Sequence, residues 1–183
     1  MPRYVAFLRA INVGGHTVKM DHLRRLFERL GFSKVETFIA SGNVIFESAS
    51  RSAKALEKKI EAHLQEALGY RVATFLRSTS ELADIARYQP FGDPAAHAEG
   101  ALYIGFLADS PSDASKRKFL SLASELNNLH CHGREVYWLC RTRMSESRIS
   151  MALLEKTLGM QGTFRNATTV RKLALKYAPR GKA

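Results

Sequence analysis

Four apolar or β-rich runs of strand length and two amphipathic stretches of helical period alternate in the order βαββαβ up to Leu76. A stretch from Gln89 to Gly100, carrying Pro90, Gly92, Pro94 and Gly100, interrupts the pattern before further strand and helix signals resume. These observations predict an α/β (α+β) chain with a ferredoxin-like βαββαβ first domain over residues 1–88. A linker over 89–100 and a smaller, related α/β second domain over 101–183 follow. Leu30-Gly31-Phe32 before one strand and Leu68-Gly69-Tyr70 before another echo each other, as two strand-helix-strand units should.

Tyr4 to Leu8 is almost wholly apolar, which suits a central strand covered on both faces. Leu23, Leu26, Phe27 and Leu30 then recur at helical spacing, with Asp21 in the first turn and Gly31 at the C-terminal end. Val35 to Ala40 and Val44 to Phe46 flank Ser41-Gly42-Asn43, a connection of hairpin length. Leu56, Ile60, Leu64 and Leu68 trace a second helix ending at Gly69, and Val72 to Leu76 resumes a strand. Ser78 and Glu81 have capping-box spacing for a third helix with Leu82, Ile85 and Ala86 on its apolar side.

In the second half, Leu102 to Leu107 reads as a strand, and Ser110-Pro111 introduces a helix with Phe119, Leu122, Ala123 and Leu126 in period. Val136 to Leu139 is the next strand, and a helix from about Ser147 to Leu158 is closed by Gly159. An extended piece leads to Asn166, which would cap a last helix carrying Val170, Leu173, Ala174 and Tyr177 on one face.

The chain has 183 residues and is 45% hydrophobic, enough for one sizeable core or two small ones. Twenty-eight Lys and Arg against seventeen Asp and Glu leave a net charge of +11, which favours polyanions or acidic small molecules as partners. The C-terminus is a basic end, since no acid follows Glu155. Cys131 and Cys140 are too few for a disulfide framework and suit a reducing compartment, so the cytoplasm is the expected location. Arg9 interrupts the first apolar run too early for a secretory segment. No later run approaches the roughly 20 residues of a membrane span.

Two polar motifs, Arg9 to Gly15 and Ser41 to Asn43, each follow a predicted strand. In a ferredoxin-like sheet the first two strands run parallel with the third between them, so both motifs emerge at one edge. The N-terminus of the first helix opens there too, bringing unpaired N–H groups and the positive end of its dipole. Gly14 and Gly15 would let backbone amides approach an anion, and Arg9 and Lys19 would neutralise it. Asn12, Ser41, Gly42 and Asn43 would orient it. The competing account is that the asparagines satisfy loop backbone and the glycines serve positive φ, with nothing bound.

Phe7 to Gly15, Val18-Lys19-Met20, Leu30-Gly31-Phe32 and Ser41 to Phe46 closely resemble the start of an uncharacterised bacterial family, domain of unknown function 1697. Thr163-Phe164-Arg165-Asn166 and Thr169 to Leu173 resemble its second signature. The sequence departs from the family pattern at Ala10, where glycine is frequent, and at Ala167-Thr168, where Trp-Asn is frequent. The resemblance implies a two-part α/β protein related to ferredoxin-like folds, without an established activity. It also suggests that Arg165 and Asn166 face the first-half motifs across a cleft.

Other constellations carry less. His16 with Ser41 would need an oriented base and an oxyanion hole for acyl transfer, and the sequence fixes neither. His130-Cys131-His132 with Cys140 has the composition of a metal set, but were these residues in a strand, alternation would turn Cys131 away from the histidines, so no metal is expected. No cofactor is assigned. Arg171, Lys172 and Lys176 fall away from the apolar face of the last helix, as a solvated face or a nucleic-acid surface would require, and a protein-interaction module without chemistry is a further alternative. RNA-recognition domains share the βαββαβ order, yet Asn43 to Glu47 lacks their basic-Gly-aromatic pattern, and Tyr4 and Phe46 alone do not supply it.

Overall fold

A computed structural model describes residues 1–12, 15–39, 42–93 and 99–179. Gly14, Ser41 and, within the expected linker, Pro94 lie outside the described residues. The chain divides into two units: Met1–Ala83 with the chain end from Lys176, and Asp84–Leu175.

In the first unit β1 (Arg3–Leu8), α1 (Met20–Arg29), β2 (Ser33–Thr37), β3 (Asn43–Glu47), α2 (Ala53–Leu68) and β4 (Thr74–Ser78) follow in order. The sheet order is β2-β3-β1-β4, antiparallel throughout, which is the ferredoxin-like arrangement. Leu23, Leu26 and Phe27 of α1 and Leu56, Ile60 and Leu64 of α2 meet Tyr4, Ala6, Leu8, Val44, Phe46 and Leu76 in one core. Each large apolar side chain buried there contributes roughly 2 kcal/mol. Gly69 ends α2 in the left-handed conformation, φ 81°, with its N–H on Gln65 O. Strand β2 stops at Thr37 instead of Ala40, because Phe38 already turns and exchanges backbone and side-chain bonds with Asn43.

Strand β4 is an edge of the sheet, and two of its backbone donors are covered by α2. Glu57 Oε1 accepts Leu76 N and Glu61 Oε1 accepts Thr74 N, both at 2.9 Å. Spaced four apart, the two carboxylates lie on one helix face and close an edge otherwise open to strand addition. Next, α3 (Thr79–Arg87) starts with the expected capping box: Glu81 N donates to Ser78 Oγ at 3.1 Å and Ser78 N to Glu81 Oε2 at 2.7 Å.

The second unit repeats the plan. Here β5 (Ala101–Leu107), α4 (Asp113–Leu120), β6 (Asn127–His132), β7 (Glu135–Cys140), α5 (Met151–Leu158) and β8 (Gly162–Asn166) form an antiparallel sheet in the order β6-β7-β5-β8. Tyr4-Val5-Ala6-Phe7-Leu8 of β1 and Tyr103-Ile104-Gly105-Phe106-Leu107 of β5 hold equivalent central positions. Arg77, opposite Val5, and Arg165, opposite Ile104, are both buried, and each donates Nη1 to the preceding carbonyl. Glu155 of α5 reaches Gly162 N of the edge strand β8, as Glu57 and Glu61 serve β4.

Three expectations change here. Helix α4 ends at Leu120, short of Leu126, since Ser121 Oγ bonds Lys118 O and a turn closes Ser124 onto Asn127. Leu126 is 53% exposed. Strand β6 is additional to the sequence reading. The helix expected from Ser147 begins at Met151, capped by Ser150, whose Oγ accepts Leu153 N. Ser147 instead bonds Asn127. The last helix, α6 (Ala167–Tyr177), is capped by Asn166 as expected, with Oδ1 accepting Thr168 N at 2.9 Å.

Candidate ligand-binding edge of the first unit

The end of β1 faces the turn before β3 and the start of β4, and backbone bonds lock these segments together. Leu8 N donates to Gly42 O and Arg9 N to Ala73 O, both at 2.9 Å. Gly42 has φ 81°, and a Cβ there would lie 2.7 Å from Ile11 Cγ2 and 3.1 Å from Leu8 Cβ. The two motifs that topology places at one edge therefore touch, and a glycine lets them.

Residues 70–73 complete this edge. The Tyr70 hydroxyl donates to Ile11 O at 3.4 Å, and the His16 ring stacks on Tyr70 with centroids 3.8 Å apart. His16 thus braces the loop after β1. Tyr70 is absent from the sequence-level site, although antiparallel pairing of β1 with β4 would have put the segment preceding β4 beside the end of β1. Helix α1 enters with Lys19 at its N-cap in extended backbone, φ −65° and ψ 139°, and without a capping side-chain bond. Lys19, His16 and Arg71 are exposed, and Arg9 is half-buried.

The asparagines do structural work. Asn12 Oδ1 accepts Val18 N at 2.8 Å and closes the loop onto itself. Asn43 is fully buried and donates Nδ2 to Phe38 O at 2.9 Å. Gly15 has φ 85° with open space where a Cβ would stand, so it serves the turn's backbone.

Arg165 and Asn166 belong to the second unit. Arg165 is buried, and its Nη1 donates to Thr163 Oγ1 at 2.8 Å and to Phe164 O at 3.0 Å. Burial lowers its guanidinium to about 10, which leaves it charged at neutral pH. The basic residues of α6 separate: Lys172 is exposed, Arg171 is half-buried, and Lys176 lies 3.6 Å from Glu36, which also accepts the Tyr177 hydroxyl.

On β6, alternation turns His130 and His132 to one side, where Tyr88 stacks on His132 and lies 2.7 Å from His130 Nε2. Cys131 packs on the opposite face near Trp138 and Cys140. Burial pushes its thiol up to about 11, so it is protonated at neutral pH. Among the described residues, no group of three or more His, Cys, Asp or Glu could hold a metal ion. No described helix is long and apolar enough to cross a membrane.

Fold and edge define a class: α+β proteins built from two successive ferredoxin-like units, the first with a polar loop edge at the entry to its first helix. The chain belongs to the family described as protein of unknown function (DUF1697), whose model matches residues 1–137. It is similar to the solved structure of the conserved bacterial protein SP0830 from Streptococcus pneumoniae. The two are 26% identical with a TM-score of 0.70, over 96% of this chain and 98% of that one. Comparison with curated proteins finds no match.

Proposed function

We propose that the protein binds a small anionic ligand, phosphorylated or nucleotide-like, at the strand-end edge of its first unit. The observation that carries this is the convergence of the loop after β1, the Gly42 turn and residues 70–73 where α1 begins without a capping side chain. Open first-turn N–H groups and the helix dipole attract negative charge, and Lys19 stands beside them. Arg9, His16 and Arg71 add donors at the same edge. Asn12 and Asn43 shape the loops, so their contribution is to hold the edge in place. Free Cys131 and Cys140 are compatible with a reducing, cytoplasmic setting.

Thermal shift against inorganic phosphate, mononucleotides and a panel of phosphorylated metabolites tests the reading. At least one member should stabilise the protein by about 1–3 kcal/mol at saturating concentration. Lys19→Ala should weaken that ligand by about threefold, the scale of an exposed charge. Stabilisation by no member, or a response indifferent to Lys19→Ala, would count against it.

A further inference from the structure

A cavity of about 280 Å³ opens within the second unit beside the first turns of α6. Its size falls just below that of drug-sized sites, which begin at roughly 300 Å³, and suits a smaller ligand. Phe91 and Leu139 supply apolar wall, Gln89, Asn166, Thr168 and Arg171 supply polar groups, and among the described residues neither Asp nor Glu lines it. Among the described residues, nothing hydrogen-bonds or pairs with the Arg171 guanidinium, the Gln89 amide side chain or the Thr168 hydroxyl. Asn166 commits Oδ1 to Thr168 N and keeps its Nδ2 donors. That cap fills a first-turn N–H, so the charge of this cavity comes from Arg171 and not from the helix end.

A guanidinium partly withdrawn from water, with no carboxylate beside it, gains most from an anion that accepts its planar pair of N–H bonds. The neighbouring donors have the same preference, and the apolar wall suits a ring or short hydrocarbon body. We propose that this cavity is a binding site for a small organic anion, with a carboxylate or phosphate head on Arg171 and an apolar body against Phe91 and Leu139. The site lies in the other unit from the edge described above and does not depend on it.

Titrating isotope-labelled full-length protein with benzoate, phenyl phosphate and neutral benzamide, followed by amide NMR shifts, tests this. One or both anions should give saturable shifts at Gly100–Leu102 and Asn166–Arg171 with Kd of about 1 mM or tighter. Benzamide, and either anion with Arg171→Ala, should bind at least about tenfold more weakly. Lys172→Ala, which alters an exposed neighbour, should change neither Kd. Ala167→Trp, filling the cavity, should abolish the shifts, and Arg171→Ala keeps the test decisive if that variant does not fold. Absence of saturable shifts, equal affinity for benzamide, an unchanged Kd in Arg171→Ala, or shifts confined to residues 9–19 would overturn the proposal. The last result would leave the first-unit edge standing.

Discussion

Single residues at the first-unit edge hold backbone conformations that their side chains favour or resist. Ala10 has φ 58°, in the left-handed region, where the family resemblance leads one to expect glycine. The left-handed conformation costs an L-residue about 1–2 kcal/mol, part of which glycine returns through its freer unfolded chain. Ala10→Gly should therefore stabilise the protein by about 0.5–1 kcal/mol. Gly42→Ala combines the same backbone cost with a Cβ 2.7 Å from Ile11, and overpacking adds about 1–3 kcal/mol, so a loss of about 2–4 kcal/mol is expected. Urea midpoints at constant m-value measure both, and effects of the opposite sign would contradict these backbone assignments. Gly42 was legible in the sequence because a glycine between two β-rich runs has few other uses. The structural duties of Asn12 and Asn43 were legible only as an alternative, since a loop asparagine serves a ligand or a backbone with the same atoms.

Elements were readable where period and cap agreed. Helices α1, α2 and α3 carry both signals, and the Ser78–Glu81 box forms as the spacing requires. Strand β6 was not readable, because Asn127 to His132 holds one strongly apolar residue, Leu129, and lies at a sheet edge where alternation is weakly enforced. The glutamates of α2 were equally silent, since a Glu on a helix normally signals solvent. Glu57 is 8% exposed, and replacing it by Ala leaves Leu76 N unpaired, at a cost of about 1–3 kcal/mol. Glu57→Gln keeps an acceptor and should retain most of that stability; equal losses would show that the bond to β4 is not what Glu57 supplies. On β6, burial first and the nearby charge of His132 second hold His130 below its ordinary value of 6.5. A depressed histidine favours the neutral folded form, so its contribution is present above about pH 6.5 and is lost as pH falls through the lower folded value. Imidazole NMR should give a His130 pKa below 6.5 that rises in His132→Asn. A value at or above 6.5 would remove the pH dependence.

The whole molecule is a duplicated plan, and its duplication bears on what the charge can do. Five residues, Tyr4 to Leu8 and Tyr103 to Leu107, carry the clearest trace of it, too short a match to stand out without the shared strand order. Equivalent places differ in packing: Ala6 is fully buried with its methyl accommodated, whereas a Cβ on Gly105 would lie 2.6 Å from Val136 and 2.7 Å from Phe164. The net charge of +11 invites nucleic acid, but the fold limits how it would be held. Tyr4 of β1 and Phe46 of β3, the stacking candidates read from the sequence, are 5% and 0% exposed in the core beneath α1 and α2, and Phe7 of β1 is 0% exposed as well. Some cations are also locally committed, Arg3 and Lys34 to Glu47 and Lys59 to Leu30 O. Attraction to a polyanion should then act through phosphate charge alone, without base stacking. Fluorescence anisotropy should show single-stranded oligomers of different base composition binding within about twofold of one another, with affinity falling at least about tenfold between 50 and 200 mM salt. Base-selective or salt-insensitive binding would mean that an aromatic surface other than these two strands reads the nucleic acid.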